Sequence, residues 1–128
     1  MSRYLDASAL VKLVIREPDS SALDAWLGPR EAIVSCALSR TEVTRATAPS
    51  GLAARTRARR LLDEIELIQL DDELLDLAGE LEPPLRSLDA IHLAAALELG
   101  DELEALVTYD VRMARGAESL GLRVVAPA

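Results

Sequence analysis

Short apolar runs alternate along this chain with longer segments whose apolar residues recur three and four positions apart, the spacing of one face of an α-helix. Arg3-Tyr4-Leu5 is too short for a helix and leads directly into one. Ala7, Leu10, Val11, Val14 and Ile15 form a helical stripe from about Ala7 to Arg16, stopped before Pro18. Asp19 or Ser20 is placed to cap a second helix through Leu27, ended by Gly28-Pro29. Ala32 to Ser35 reads as a second strand, and Ser35 as the cap of a helix from Ala37 to Thr47, closed by Pro49-Ser50-Gly51. A fourth helix covers Leu52 to Glu64 and carries Arg55, Arg57, Arg59 and Arg60. Ile65 to Leu70 is expected as strand three. Asp71 or Asp72 then caps a helix to about Leu81, broken by Pro83-Pro84.

Ser87 opens the most apolar helix of the chain, running through Leu99 to a stop at Gly100. Leu88, Ile91, Ala95 and Leu99 make one stripe, and Ala90, Leu93, Ala94 and Leu97 fill most of the remainder, so burial on nearly all sides is expected. Ala105 to Tyr109 is a continuous apolar strand ending at Asp110. A last helix follows from Val111 to Leu120, capped by Gly121, and Leu122 to Ala126 is the final strand. Strands alternate with helices throughout, and short apolar strands of this kind belong to a parallel sheet covered on both faces. There is no internal repeat or low-complexity linker. The expectation is one α/β domain over residues 1–128, with about five short strands in a mainly parallel central sheet between two layers of helices.

Composition narrows this picture. Half of the 128 residues are apolar, but aromatic side chains are limited to Tyr4, Trp26 and Tyr109, so the core must be aliphatic. Trp26 is expected in that core, with a dimer contact as the alternative. Cys36 is the single cysteine, which excludes an internal disulfide and any Cys-based zinc cluster. No apolar run reaches the roughly 20 residues needed to span a bilayer, and no secretion signal opens the chain, so a cytoplasmic protein without membrane partners is expected. The net charge of −8 argues against a nonspecific nucleic-acid coat protein, but leaves open an enzyme that meets nucleic acid through a local patch and a metal. Lys12 is the only lysine among fourteen basic residues; the rest are arginines, which suit bidentate recognition of phosphate or carboxylate.

Most of the twenty-two acidic residues sit on polar helix faces or in turns. Four do not. Asp6 and Asp110 each end an apolar strand and begin a helix, so both project from one edge of a parallel sheet, where ligands collect in open α/β folds. Asp89 lies in the first turn of the most buried helix, and Glu42 lies mid-helix at the border of an inward face. Asp6 and Asp110 are also good helix caps, and Asp89 complements a helix dipole. Glu42 has no such role, and an acid near the core costs several kcal/mol unless paired (roughly, by buried-charge arguments). Clustered carboxylates repel and push one another toward protonation. A hard divalent cation removes that conflict, and four acids without usable Cys favour Mg²⁺ or Mn²⁺ over zinc. His92, the only histidine, is expected as a hydrogen-bonded core or rim residue rather than a ligand. No Gly-x-Ser-x-Gly elbow, Gly-x-Gly-x-x-Gly turn or Walker loop occurs. A metal-activated water remains the most available nucleophile.

Tyr4-Leu5-Asp6-Ala7-Ser8-Ala9-Leu10-Val11-Lys12, Ser39-Arg40-Thr41-Glu42-Val43, Leu88-Asp89-Ala90-Ile91-His92-Leu93-Ala94-Ala95-Ala96 and Val107-Thr108-Tyr109-Asp110 together resemble the PIN-domain family. More narrowly they resemble VapC-type toxins of bacterial toxin–antitoxin pairs, and Gly121-Leu122-Arg123-Val124-Val125-Ala126-Pro127 matches that family's ending. The similarity runs along the whole chain in order. It implies a PIN-like α/β/α fold and a Mg²⁺-dependent ribonuclease, with Mn²⁺ as a substitute, that hydrolyses phosphodiester bonds in a cellular RNA. The family's four acids fall on Asp6, Glu42, Asp89 and Asp110, with Asp6 and Asp89 as principal metal ligands and Ser8 and Thr108 as small hydroxyls near them. The resemblance also implies a homodimer, silenced by a cognate VapB-type antitoxin that inhibits the acidic pocket.

On this reading Asp110 or Glu42 orients the attacking water. Arg112 and Arg115, on the helix that follows Asp110, are placed for RNA phosphates, with a solvated helix face as the alternative. Arg55 and Arg59 share one face of the fourth helix and suit phosphate, partner or solvent equally. Two other classes compete: a PIN-like binding module with little activity, and a phospho-accepting receiver domain. The receiver needs a lysine at the end of its last strand, where this chain has Arg123-Val124-Val125-Ala126. A haloacid-dehalogenase-like phosphatase needs Asp-x-Asp, which Asp6-Ala7-Ser8 lacks.

Overall fold

The computed structural model describes residues 1–82 and 85–128, so the expected Pro83-Pro84 break lies outside the described residues. The chain runs β1 (Ser2–Leu5), α1 (Ala7–Val14), α2 (Ser20–Leu27), β2 (Ile33–Cys36), α3 (Leu38–Thr47), α4 (Leu52–Glu64) and β3 (Glu66–Ile68). It continues through α5 (Asp72–Glu80), α6 (Ser87–Glu98), β4 (Leu103–Val107), α7 (Val111–Ser119) and β5 (Val124–Val125). The five strands pair in parallel in the order β3-β2-β1-β4-β5.

Side-chain alternation along the strands divides the interior in two. Leu5, Ile33 and Val107 point into a core closed by α1, α2, α3 and α4 through Leu10, Val14, Leu23, Val43, Ala58 and Leu62. Their neighbours Tyr4, Val34 and Leu106 point the other way, into a core closed by α5, α6 and α7 through Leu74, Leu93, Ala94, Met113 and Ala117. The result is the expected three layers. Trp26 is half-buried against the first core, with the Arg3 guanidinium 5.5 Å from its ring centre. Helix α6 is buried from His92 to Ala96 but leaves Leu88 half exposed, so its first turn is less enclosed than its composition suggests.

Several boundaries differ from the sequence reading for identifiable reasons. β2 runs to Cys36, which keeps Ser35 inside the sheet; Ser35 Oγ pairs with Ser39 Oγ at 2.7 Å, and the N-cap of α3 is Ala37 without a side-chain bond. Asp19 precedes α2 but does not cap it; its carboxylate meets Lys12 Nζ at 3.4 Å. Ser20 Oγ accepts the Glu17 N–H at 2.9 Å and donates to the Lys12 carbonyl at 2.8 Å. β4 starts at Leu103, two residues before the expected Ala105, because Leu103 pairs opposite Ser2 and Glu104 meets Arg3 at 3.5 Å. It stops at Val107, although the Thr108 N–H still bonds to the Val125 carbonyl of β5 at 3.2 Å. The edge strands β3 and β5 are shorter than the apolar runs that contain them. Gly121, at φ +82°, takes the left-handed turn that ends α7.

Candidate active site

The strand order places a switch point between β1 and β4. From β1 the chain winds outward through β2 to β3, then crosses back and winds the other way through β4 to β5. The helices that leave β1 and β4 diverge there and open a crevice at the carboxyl ends of the strands, where open α/β sheets bind ligands. Asp6 and Asp110 stand at this crevice.

Asp6 is buried, with 3 % of its surface exposed, at the N-terminus of α1. Its Oδ1 accepts from the Ala9 N–H at 3.1 Å and from Ser8 Oγ at 2.6 Å, and its Oδ2 accepts from Thr108 Oγ1 at 2.5 Å. The same hydroxyls tie the two strand ends together: Ser8 Oγ accepts the Tyr109 N–H at 3.0 Å and Thr108 Oγ1 accepts the Asp110 N–H at 3.1 Å. Burial raises the Asp6 pKa; the Ser8, Thr108 and Ala9 hydrogen bonds oppose it without cancelling it. Asp110 is exposed and caps α7, its Oδ1 accepting from the Arg112 and Met113 N–H groups at 2.8 and 3.1 Å. The cap role expected of both residues is therefore real, and it fixes the orientation of each carboxylate.

Asp89 does not cap its helix; the N-cap position of α6 is Arg86, without a side-chain bond. The Asp89 pKa is raised by burial first and by the charge of Asp110 second, with Asp6 adding to the rise and His92 and Arg86 opposing it. Three carboxylates from β1, α6 and the end of β4 thus lie within each other's field.

Glu42 has a different neighbour. Its Oε1 meets His92 Nε2 at 2.6 Å, and His92 Nδ1 meets the Tyr4 hydroxyl at 2.8 Å, with Cys36 Sγ at 3.7 Å. His92 is buried and Glu42 partly so, at 3 % and 25 % side-chain exposure. Burial works against charge on His92, but the contacts with Cys36 and Glu42 outweigh it and raise its pKa. The pairing that a mid-helix acid requires is met by this imidazole, and His92 occupies the hydrogen-bonded interior role expected of it. Its link to Glu42 joins α3 to α6 across fifty residues, and no sequence signal identifies it.

Among the described residues no group of three or more His, Cys, Asp or Glu side chains is arranged to hold a metal ion. The donor set still suits a hard cation: Asp6, Asp89 and Asp110 offer only oxygen, and the upward push on Asp89 is the conflict a divalent ion relieves. Beside Asp110 lies a cavity of about 400 Å³ lined by Arg86, Val111, Arg112 and Arg115 as well as Asp110 itself. Arg112 and Arg115 are expected near the acids from the sequence; Arg86, three residues before Asp89, carries no sequence signal that marks it. One carboxylate, Asp110, and three guanidinium groups therefore share this cavity, an arrangement that can bind a phosphate ester.

A model of the PIN domain matches residues 3–119. The chain is 52 % identical over 125 residues to Ribonuclease VapC46 of Mycobacterium tuberculosis, covering 97 % of this chain and 96 % of that one. The fold is similar to VapC20 of Mycobacterium tuberculosis, described as a sarcin–ricin loop cleaving toxin, at a TM-score of 0.74 and 17 % identity over 98 % of this chain and 100 % of that one. It is also similar to a chain of a toxin–antitoxin complex from Klebsiella pneumoniae, at a TM-score of 0.70 and 24 % identity over 99 % of this chain and 98 % of that one.

Proposed function

This chain belongs to the PIN-domain family, and from that premise we propose that it is the ribonuclease toxin of a VapBC-type pair, hydrolysing phosphodiester bonds in a cellular RNA. What supports the reading is the PIN-domain match together with Asp6 and Asp110 at the carboxyl ends of the adjacent strands β1 and β4, with the Asp89 pKa pushed up by burial and by both of those charges.

Asp6, Asp89 and Asp110, with Glu42 behind them, would hold Mg²⁺ or Mn²⁺, which when bound stabilises charge on the phosphate and acidifies a water molecule. The protein's own part is largely orientation. Ser8 and Thr108 fix both oxygens of Asp6. His92 holds Glu42 from behind, so that this carboxylate remains aimed from α3 without repelling the others as an unpaired charge. Asp110 commits Oδ1 to the helix cap and is exposed, which leaves Oδ2 to orient a water and take its proton. Residues 1–128 act as a single PIN-like domain in this proposal. Its partners are an RNA substrate, a VapB-type antitoxin that covers the acidic pocket, and a second copy of the chain. Its setting is the cytoplasm; among the described residues no helix is long and apolar enough to cross a membrane.

The test is direct. Purified protein is expected to cleave RNA with Mg²⁺ or Mn²⁺ and to stop in EDTA. Asp6→Ala and Asp89→Ala are expected to abolish cleavage while the circular dichroism spectrum stays native. Cleavage that survives both substitutions overturns the assignment.

A further inference from the structure

We propose that Arg86, Arg112 and Arg115 form a phosphate-binding pocket that grips the RNA backbone next to the cleaved bond, separately from the carboxylates. This rests on the ribonuclease reading and extends it to a named contact with substrate.

The pocket is built from two segments. Arg86 ends the loop that leads into α6, and Arg112 and Arg115 lie three apart on α7, so they share one helix face. All three side chains are exposed and line the same cavity of about 400 Å³. The single carboxylate among the lining residues is Asp110, and its Oδ1 already accepts two N–H groups at the start of α7. Among the described residues none of the three guanidiniums forms a salt bridge, as is true of every arginine other than Arg3, Arg16 and Arg40. Positive charge therefore outweighs negative inside this cavity, in a chain whose net charge is −8.

That contrast assigns the pocket its ligand. A polyanion is repelled by the molecule as a whole and needs a local positive site to approach it. Guanidinium groups meet phosphate oxygens through paired hydrogen bonds, which a fork of three can do without reading a base. Asp110 belongs both to this cavity and to the acidic cluster, so a phosphate held by the arginines leaves the next bond of the same strand at the carboxylates. Val111, 66 % exposed on the cavity wall, offers an apolar surface to the ribose between them. Arg55 and Arg59 line another cavity, on α4 in the opposite helical layer and without Asp110, and they serve as the control.

The experiment measures binding of a fluorescein-labelled single-stranded RNA of mixed sequence to the full chain in EDTA, where no cleavage occurs, at several salt concentrations. Arg86→Ala/Arg115→Ala and Arg112→Ala are expected to weaken binding about tenfold or more. They are also expected to reduce the salt dependence by about 0.7 in log–log slope for each phosphate that is no longer neutralised. Arg115→Lys is expected to fall between, keeping the charge but not the fork. Arg55→Ala/Arg59→Ala is expected to bind as the parent does. Unchanged affinity and slope in the alanine variants, with native melting curves, overturns the proposal even if metal-dependent cleavage is intact. Variants that keep RNA binding but no longer hold a co-expressed partner protein overturn it too, and assign the pocket to an acidic segment of that partner. If the arginines govern RNA binding but no cleavage is found under any divalent metal, the pocket stands and the ribonuclease reading fails.

Discussion

His92 shows how much a single side chain can carry in a core without Phe. Its ring reaches Glu42 on α3 and Tyr4 on β1, so one buried residue joins two helices to the central strand. Replacing it leaves the Tyr4 hydroxyl buried and Glu42 without its partner. His92→Ala is therefore expected to cost about 3 kcal/mol, the range for breaking a buried charged contact, in urea denaturation. The pH dependence has a definite sign. The folded pKa of His92 is raised from 6.5, so its contribution is complete below that value and disappears as pH rises toward about 10. Cys36 runs the other way. Burial opposes its thiolate, yet the His92 contact lowers its pKa, which favours the fold at higher pH. In a Cys36→Ser background, where Glu42 remains to raise the His92 pKa, the denaturation midpoint is therefore expected to fall as pH rises above neutral, and His92→Gln is expected to flatten that fall. A midpoint that rises over this range contradicts the His92–Glu42 contact. The sequence shows that Glu42 needs a partner, because a mid-helix acid on an inward border violates ordinary patterning. It does not name His92, because that contact exists only once α3 and α6 have packed on the sheet.

At the scale of elements, three of the expected aspartate caps are readable, since their chemistry is local, whereas the caps expected of Asp19 and Ser35 are not formed. Asp71 caps α5, Asp6 caps α1 and Asp110 caps α7, each accepting an N–H from the first turn of its helix. Strand limits are less readable because neighbouring strands set them. β4 begins where Ser2 offers a partner and ends where Thr108 is needed by Asp6, and neither condition is visible in an apolar run. The cap that Asp110 forms and the catalytic role proposed for it can be taken apart experimentally. Asparagine caps a helix as well as aspartate, whereas alanine does not. Asp110→Asn is expected to keep the melting temperature and lose most RNA cleavage. Asp110→Ala is expected to lose cleavage and also about 1 kcal/mol of stability. Equal stability of the two variants means that the hydrogen bonds to Arg112 and Met113 contribute little; full activity of Asp110→Asn removes this residue from the catalytic set.

Over the whole molecule, the site is a place where folding and function pull apart. The strand order brings Asp6 and Asp110 to one edge, and α6 adds Asp89, whose pKa is raised by burial and by the other two charges. A carboxyl group with a raised folded pKa supports the fold below its unfolded value, and that support is lost as pH rises through the folded one. Charge on Asp89 is therefore unfavourable to the metal-free fold. Asp89→Asn removes the charge with little change of shape, and because this residue is partly exposed the gain is moderated by solvent. The variant is expected to melt at the same temperature as the parent or a few degrees higher in EDTA. Divalent cation reverses the order. An ion at about one hundred times its dissociation constant adds about 2.7 kcal/mol to the parent, and Asp89→Asn gains much less because one ligand has lost its charge. The two melting curves are expected to cross as Mg²⁺ or Mn²⁺ is added. A large loss of stability in EDTA would instead make Asp89 a structural residue of α6, and parallel curves across the titration would mean that no cation is held between these carboxylates.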